Sequence, residues 1–117
     1  MNLFERVWRS LKSDRPLFCR YLQLIKPSSY KKLFKQGIES ELASSIVQVV
    51  SELMVEADPV HALATLNALP KINRFNTVIM FFGSTEKTAI SGALDVLEGA
   101  AGVDAAKLAK ARATYGA

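Results

Sequence analysis

Pro16, Pro27, Pro59 and Pro70 are the only prolines in this 117-residue chain, and each stands where a helix can open or close. A proline fixes its own φ, has no N–H to donate and pushes the preceding residue out of the helical region. It is tolerated in a first turn and excluded from a helix interior. Between these marks apolar residues recur three and four apart. Leu3, Phe4, Val7, Trp8 and Leu11 form one stripe, and Leu17, Phe18, Tyr21, Leu22 and Ile25 form another. Asp14 before Pro16 and Asp58 before Pro59 place an N-cap carboxylate at the start of a second and a fifth helix. Ser28, Ser40, Ser84 and Asp104 are candidate caps elsewhere, and Gly37 and Gly99 are stop signals. No segment alternates apolar and polar over six residues, and no Asn-Gly or Asp-Gly turn occurs. The expected architecture is all-α, a single compact bundle of seven to eight short helices. Short connections imply helical-hairpin or solenoid-like packing, without a fixed repeat period.

The segment "ELASSIVQVVSELMVEA" carries Leu42, Ile46, Val47, Val49, Val50, Leu53 and Met54. That is more than half the circumference of a helix, which predicts a central position. Half of the chain is apolar, enough for one real core at this length. No apolar stretch reaches the roughly 18 residues of a membrane span, and the N-terminus lacks a signal-peptide apolar region. The lone cysteine, Cys19, has no internal disulfide partner and reads as a small buried hydrophobe in a reducing compartment, the cytoplasm or also the nucleus. The net charge of +4 is uneven. Residues 1–36 hold nine Lys/Arg against two Asp/Glu, a net of +7, and residues 37–117 hold six against nine, a net of −3.

Catalytic signatures are missing, so an enzyme is not expected. The single histidine, His61, sits inside a predicted helix. No Cys/His set has metal-ligand spacing, and no cofactor or metal is expected. "GSTEKT" superficially resembles a phosphate loop but lacks a second glycine and a preceding strand, and reads as a helix stop followed by a helix start. The class that competes with a protein-binding module is a basic nucleic-acid-binding helical module. Its basis is Lys26, Lys31, Lys32 and Lys35 interleaved with Tyr30 and Phe34. It is disfavoured because Leu33 and Phe34 stand at core-like spacing and no nucleic-acid motif frames them.

The densest apolar run lies in "KINRFNTVIMFFGSTEK", residues 71–87. Propensity there leans toward strand, but no partner strand exists, and the bracket from Asn73 to Gly83 suits a helix over 74–82. Stepping about 100° per residue sets Phe75, Val78, Ile79 and Phe82 on one side. Arg74, Thr77 and Phe81 fall on the other, with Met80 beside them. The first stripe can serve the core. The second needs a cover, and an aromatic beside an arginine and a methionine has the composition of a binding hot spot.

"LKSDRPLFCRYLQLIKPSSYKKLFKQGIESELASSIVQVV", "NRFNTVIMFFGSTEK" and the closing "ATYGA" together resemble the family of RNA polymerase II-associated protein 3 C-terminal domains. Related domains occur in sperm-associated antigen 1 and in a coiled-coil dynein assembly factor. The resemblance implies an all-helical, non-catalytic domain over residues 1–117, excised from the C-terminus of a larger co-chaperone scaffold. It implies docking on a RuvB-like AAA+ ATPase ring, with the second RuvB-like subunit favoured. Assembly of complexes such as RNA polymerase and small nucleolar ribonucleoproteins would follow. Heat-shock chaperones would bind only through regions absent from this chain, and neither membrane nor nucleic acid is an expected partner. A dynein-arm assembly role for the same fold is the alternative. Carried over by position, the docking residues are Arg74, Thr77 and Phe81, the stripe already reached by angle. The family often has a large apolar residue where this chain has Thr77, which would shift the contact toward Met80.

Overall fold

Eight helices form from nine α segments in the computed structural model, which describes residues 2–117. The segments are α1 (Leu3–Leu11), α2 (Arg15–Gln23), α3 (Tyr30–Leu33), α4 (Ser40–Val49), α5 (Val55–Ala57), α6 (Pro59–Ala68), α7 (Phe75–Met80), α8 (Ser84–Glu98) and α9 (Ala105–Tyr115). A π-helical turn, Val50–Met54, joins α4 to α5 without a break, and 3-10 turns occupy Pro27–Ser29 and Leu69–Lys71. There is no strand among the described residues.

The aspartates cap as their positions demand. Asp14 accepts from the Leu17 N–H at 3.2 Å, Asp58 from His61 at 3.2 Å, and Asp104 from Ala106 at 2.8 Å and Lys107 at 3.1 Å. The serines do not. Ser28 lies within a 3-10 turn, Ser40 is already the first residue of α4, and Ser84 is the first of α8 behind Gly83. A cap was overlooked at Asn2, whose Oδ1 accepts from Glu5 at 2.9 Å while its Nδ2 donates to the Leu33 carbonyl at 2.7 Å. One side chain thus starts α1 and ties it to the end of α3. Gly37 is not the cap expected of it: α3 ends at Leu33 with Phe34 as its C-cap, at φ −122, and Gly37, at φ +104, turns the loop three residues later. Gly99 closes α8 at φ −96, and the left-handed turn that follows is made by Gly102, at φ +79.

The core is continuous but has two characters. Near the N-terminus Phe4 gathers rings edge-on, with centroids at 5.3 Å to Phe34, 5.4 Å to Tyr21, 6.0 Å to Tyr30 and 6.3 Å to Phe18. The remainder is aliphatic and centres on the long helix of α4 and α5. Leu42, Ile46, Val47, Val49, Val50 and Met54 are buried there, against α2, α6 and α8. The central position expected for this helix is observed. The π turn was not anticipated: the Val55 N–H reaches back five residues to the Val50 carbonyl. The wider turn shifts the helical register, so Val50, Ser51, Met54 and Val55 all face inward. Cys19 is buried and burial raises its thiol pKa, as suits a packing residue.

The hairpin of α8 and α9 is held by Arg112, which donates to Asp95 at 3.0 Å and Glu98 at 2.6 Å, and both carboxylates raise its pKa through these hydrogen bonds. Two contacts lock α9 onto α6. The Tyr115 hydroxyl donates to the Leu66 carbonyl at 2.7 Å, and Asn67 Nδ2 donates to the Lys107 carbonyl at 3.1 Å.

Burial pushes the hydroxyls of Tyr30 and Tyr115 well above the ordinary tyrosine value, with Tyr21 adding to the effect at Tyr30. Raised folded-state values favour folding below the unfolded pKa of about 10, and that contribution is lost as pH rises. Above about pH 10 the unfolded chain releases protons that the folded chain keeps. Stability should therefore fall by up to about 1.4 kcal/mol per pH unit for each tyrosine. Urea denaturation across this range should show the decline, and replacing both tyrosines by phenylalanine should flatten it.

Candidate interaction surface

Strained backbone introduces α7. Ile72 leaves the preceding 3-10 turn extended, at ψ 138, and Arg74 then takes φ 65 and ψ 16. Arg74 is the only non-glycine with positive φ among the described residues. A left-handed L-residue costs on the order of 1 kcal/mol. This reversal lets Ile72 and Phe75, both buried, reach the core from either side while the arginine is exposed. Position 74 tolerates glycine and resists β-branched residues, so Arg74→Val should be about 1–2 kcal/mol less stable than Arg74→Gly in urea denaturation.

Helix α7 is shorter than the expected 74–82, because β-branched and aromatic residues are poor helix formers. Its ends tighten into 3-10 geometry. The Thr77 N–H bonds the Arg74 carbonyl at 3.1 Å, and Phe81 and Phe82 bond Val78 and Ile79, each at 3.1 Å. The turns continue, so the angular division of the segment survives. Phe75, Val78 and Phe82 are buried, Ile79 is half-buried, and the Phe75 and Phe82 rings meet edge-on at 6.3 Å. On the other side Arg74 and Thr77 are exposed, Met80 is 79% exposed and Phe81 is 77% exposed. The structure therefore places all four sequence-predicted residues in solvent, on the side of α7 turned from the core.

A shallow groove of about 360 Å³ runs beside this face, bounded by Arg74, Thr77 and Val78 on one side and by Gln36, Ile38 and Glu39 on the other. The second wall was missed from the sequence. Its one signal is Gly37, whose φ of +104 brings the loop so close that an added Cβ would sit 3.4 Å from the Asn73 carbonyl. Gly83 at the far end is extended, at φ −91, rather than a left-handed helix stop, and its carbonyl accepts from Lys87 at 3.1 Å.

The basic first third is less available than its charge suggests. Arg9 pairs with Glu39 at 3.8 Å, Lys12 with Glu41 at 3.9 Å and Arg15 with Glu52 at 3.0 Å. Arg9 and Lys12 also lie over the Trp8 ring, 5.6 and 5.3 Å from its centroid. His61 is half-buried within α6, and Glu56 is exposed. No group of three metal-ligating side chains occurs among the described residues, and none of their helices is long and apolar enough to cross a membrane.

An all-helical globule with an aromatic left bare beside a strained arginine is the form of a protein-interaction domain. A family model described as "Potential Monad-binding region of RPAP3" matches residues 2–87. The chain is 32% identical over 84 residues to human RNA polymerase II-associated protein 3, and 32% and 31% identical over 84 residues to the proteins of that name from Xenopus laevis and Gallus gallus. In each case the match covers 71% of this chain and 13% of the relative, so the chain spans a small part of those proteins. The NMR structure of the C-terminal domain of human RPAP3 superposes with a TM-score of 0.84 at 26% identity, over 97% of this chain and 84% of that domain. This chain belongs to the family of RPAP3 C-terminal interaction domains. The structural match extends beyond residue 87 to α8 and α9, where the family model does not reach.

Proposed function

We propose that this domain docks on a RuvB-like AAA+ ATPase ring through Arg74, Thr77, Met80 and Phe81, as part of a co-chaperone scaffold that assembles multi-subunit complexes. The observation that carries the reading is Phe81, a large aromatic left 77% exposed at the C-cap of α7 while Phe75 and Phe82 around it are buried. A bare phenylalanine is worth little to the free domain and much in an interface, where it fills a dry pocket. Arg74 supplies charge-assisted hydrogen bonds at the rim, and its strained backbone is what a functional position tolerates. Thr77, smaller than the residue common in the family, borders the groove with Gln36 and Glu39. That opening would receive a partner side chain, and Met80 would carry more of the apolar contact.

The family's description names Monad as a potential partner, which favours a second reading in which Monad occupies this same face. Co-purification from purified components separates the two. The domain is expected to retain the RuvB-like pair, and retention of Monad alone would favour the second reading. Loss of capture on Arg74→Glu, with helicity unchanged by circular dichroism, places the contact on α7.

A further inference from the structure

The structure assigns a second recognition site, a lysine-rimmed cleft that takes a short acidic peptide of a partner protein around one small apolar anchor. It lies apart from the Phe81 face and does not depend on what binds there. The cleft has a volume of about 500 Å³, and Lys31, Lys71, Lys107 and Lys110 rim it. These residues come from α3, the 3-10 turn after α6, and α9, and lie up to 79 positions apart, since 110 − 31 = 79. No carboxylate lines the cleft, and none of the four lysines is ion-paired among the described residues. Other cations among the described residues are unpaired too, but what sets these four apart is their convergence on one concavity, whereas Arg9, Lys12, Arg15 and Arg112 are held by Glu39, Glu41, Glu52, Asp95 and Glu98. Four unneutralised like charges converging on one concavity repel each other and attract an anion.

The floor decides what kind of anion. It is built from Pro27, Ala64 and Ala68, small apolar groups that suit an aliphatic side chain. A compact phosphate cluster is recognised best by guanidinium forks, and no arginine lines the cleft. A single-stranded nucleic acid needs stacking platforms, and no aromatic lines it. Flexible ammonium groups around an apolar floor match carboxylates flanking a leucine-like residue. The walls are pre-set as well, because Asn67 and Tyr115 fix α9 on α6 through the Lys107 and Leu66 carbonyls. The ligand therefore orders the lysine side chains but not the helices that carry them.

The test is fluorescence anisotropy at low salt, with a labelled peptide that carries three glutamates on each side of one leucine. Saturable binding is expected. The double variant Lys107→Glu/Lys110→Glu should weaken it at least about tenfold. The charge-matched control Lys35→Glu/Lys87→Glu touches no cleft residue and should stay within about twofold. Replacing the peptide's leucine by glycine should also weaken it. All four lysines are exposed, so the variants should keep their helicity. No binding, an equal loss in both double variants, indifference to the leucine, or stronger binding of inorganic polyphosphate or single-stranded RNA than of the peptide would each overturn the assignment.

Discussion

Phe81→Ala should leave the domain folded and strip it of partner capture. The ring is 77% exposed, so truncation removes almost no core contact, and stability should change by no more than about 0.5 kcal/mol. An aromatic at the centre of an interface commonly contributes about 2 kcal/mol or more, so affinity for the RuvB-like ring should fall at least about thirtyfold. Titration of the ring with wild-type and variant domains, with thermal melts alongside, separates the two effects. A melt that collapses would mean that Phe81 belongs to the core.

Phe75→Ala should do the reverse. Phe75 begins the same helix, is fully buried and meets Phe82 edge-on at 6.3 Å. Deleting a buried phenylalanine ring costs about 3–5 kcal/mol, lost transfer energy plus the cavity left behind. Domains of this kind hold about 5–15 kcal/mol in total, so the variant should unfold at a much lower urea concentration with an unchanged denaturant slope. Whatever capture remains should track the folded fraction. Two phenylalanines six positions apart, since 81 − 75 = 6, would thus separate folding from function.

The division of α7 was legible because angular position depends only on spacing. Phe75, Val78 and Phe82 went inward and Arg74, Thr77 and Phe81 outward, although the helix itself is shorter than expected. The proline punctuation and the aspartate caps were legible for a similar reason: each acts through a local geometric rule. What stayed hidden depends on tertiary context. Arginine has no preference for the left-handed region, so nothing in the sequence marks Arg74 as the residue that turns the chain into α7. The π turn at Val50–Met54 lies within a run whose apolar pattern suits an ordinary helix equally well. The Gln36 to Glu39 wall of the groove and the four-lysine cleft join residues scattered along the chain, and only the packing of α6 against α9 and of the Gly37 loop against Asn73 brings them together. The basic first third shows the opposite case. Its charge was conspicuous in the sequence, yet three of its cations are held by Glu39, Glu41 and Glu52.

Docking through the Arg74 to Phe81 face is tested most directly by amide hydrogen exchange of the domain, free and bound to the purified RuvB-like ring. The short α7, with 3-10 ends and an exposed outer side, should exchange readily when free. Binding should protect residues 74–82 and the facing loop at 36–39, and leave α9 around Lys107 and Lys110 unchanged. Protection confined to other elements, with 74–82 exchanging as in the free domain, would contradict docking through this face.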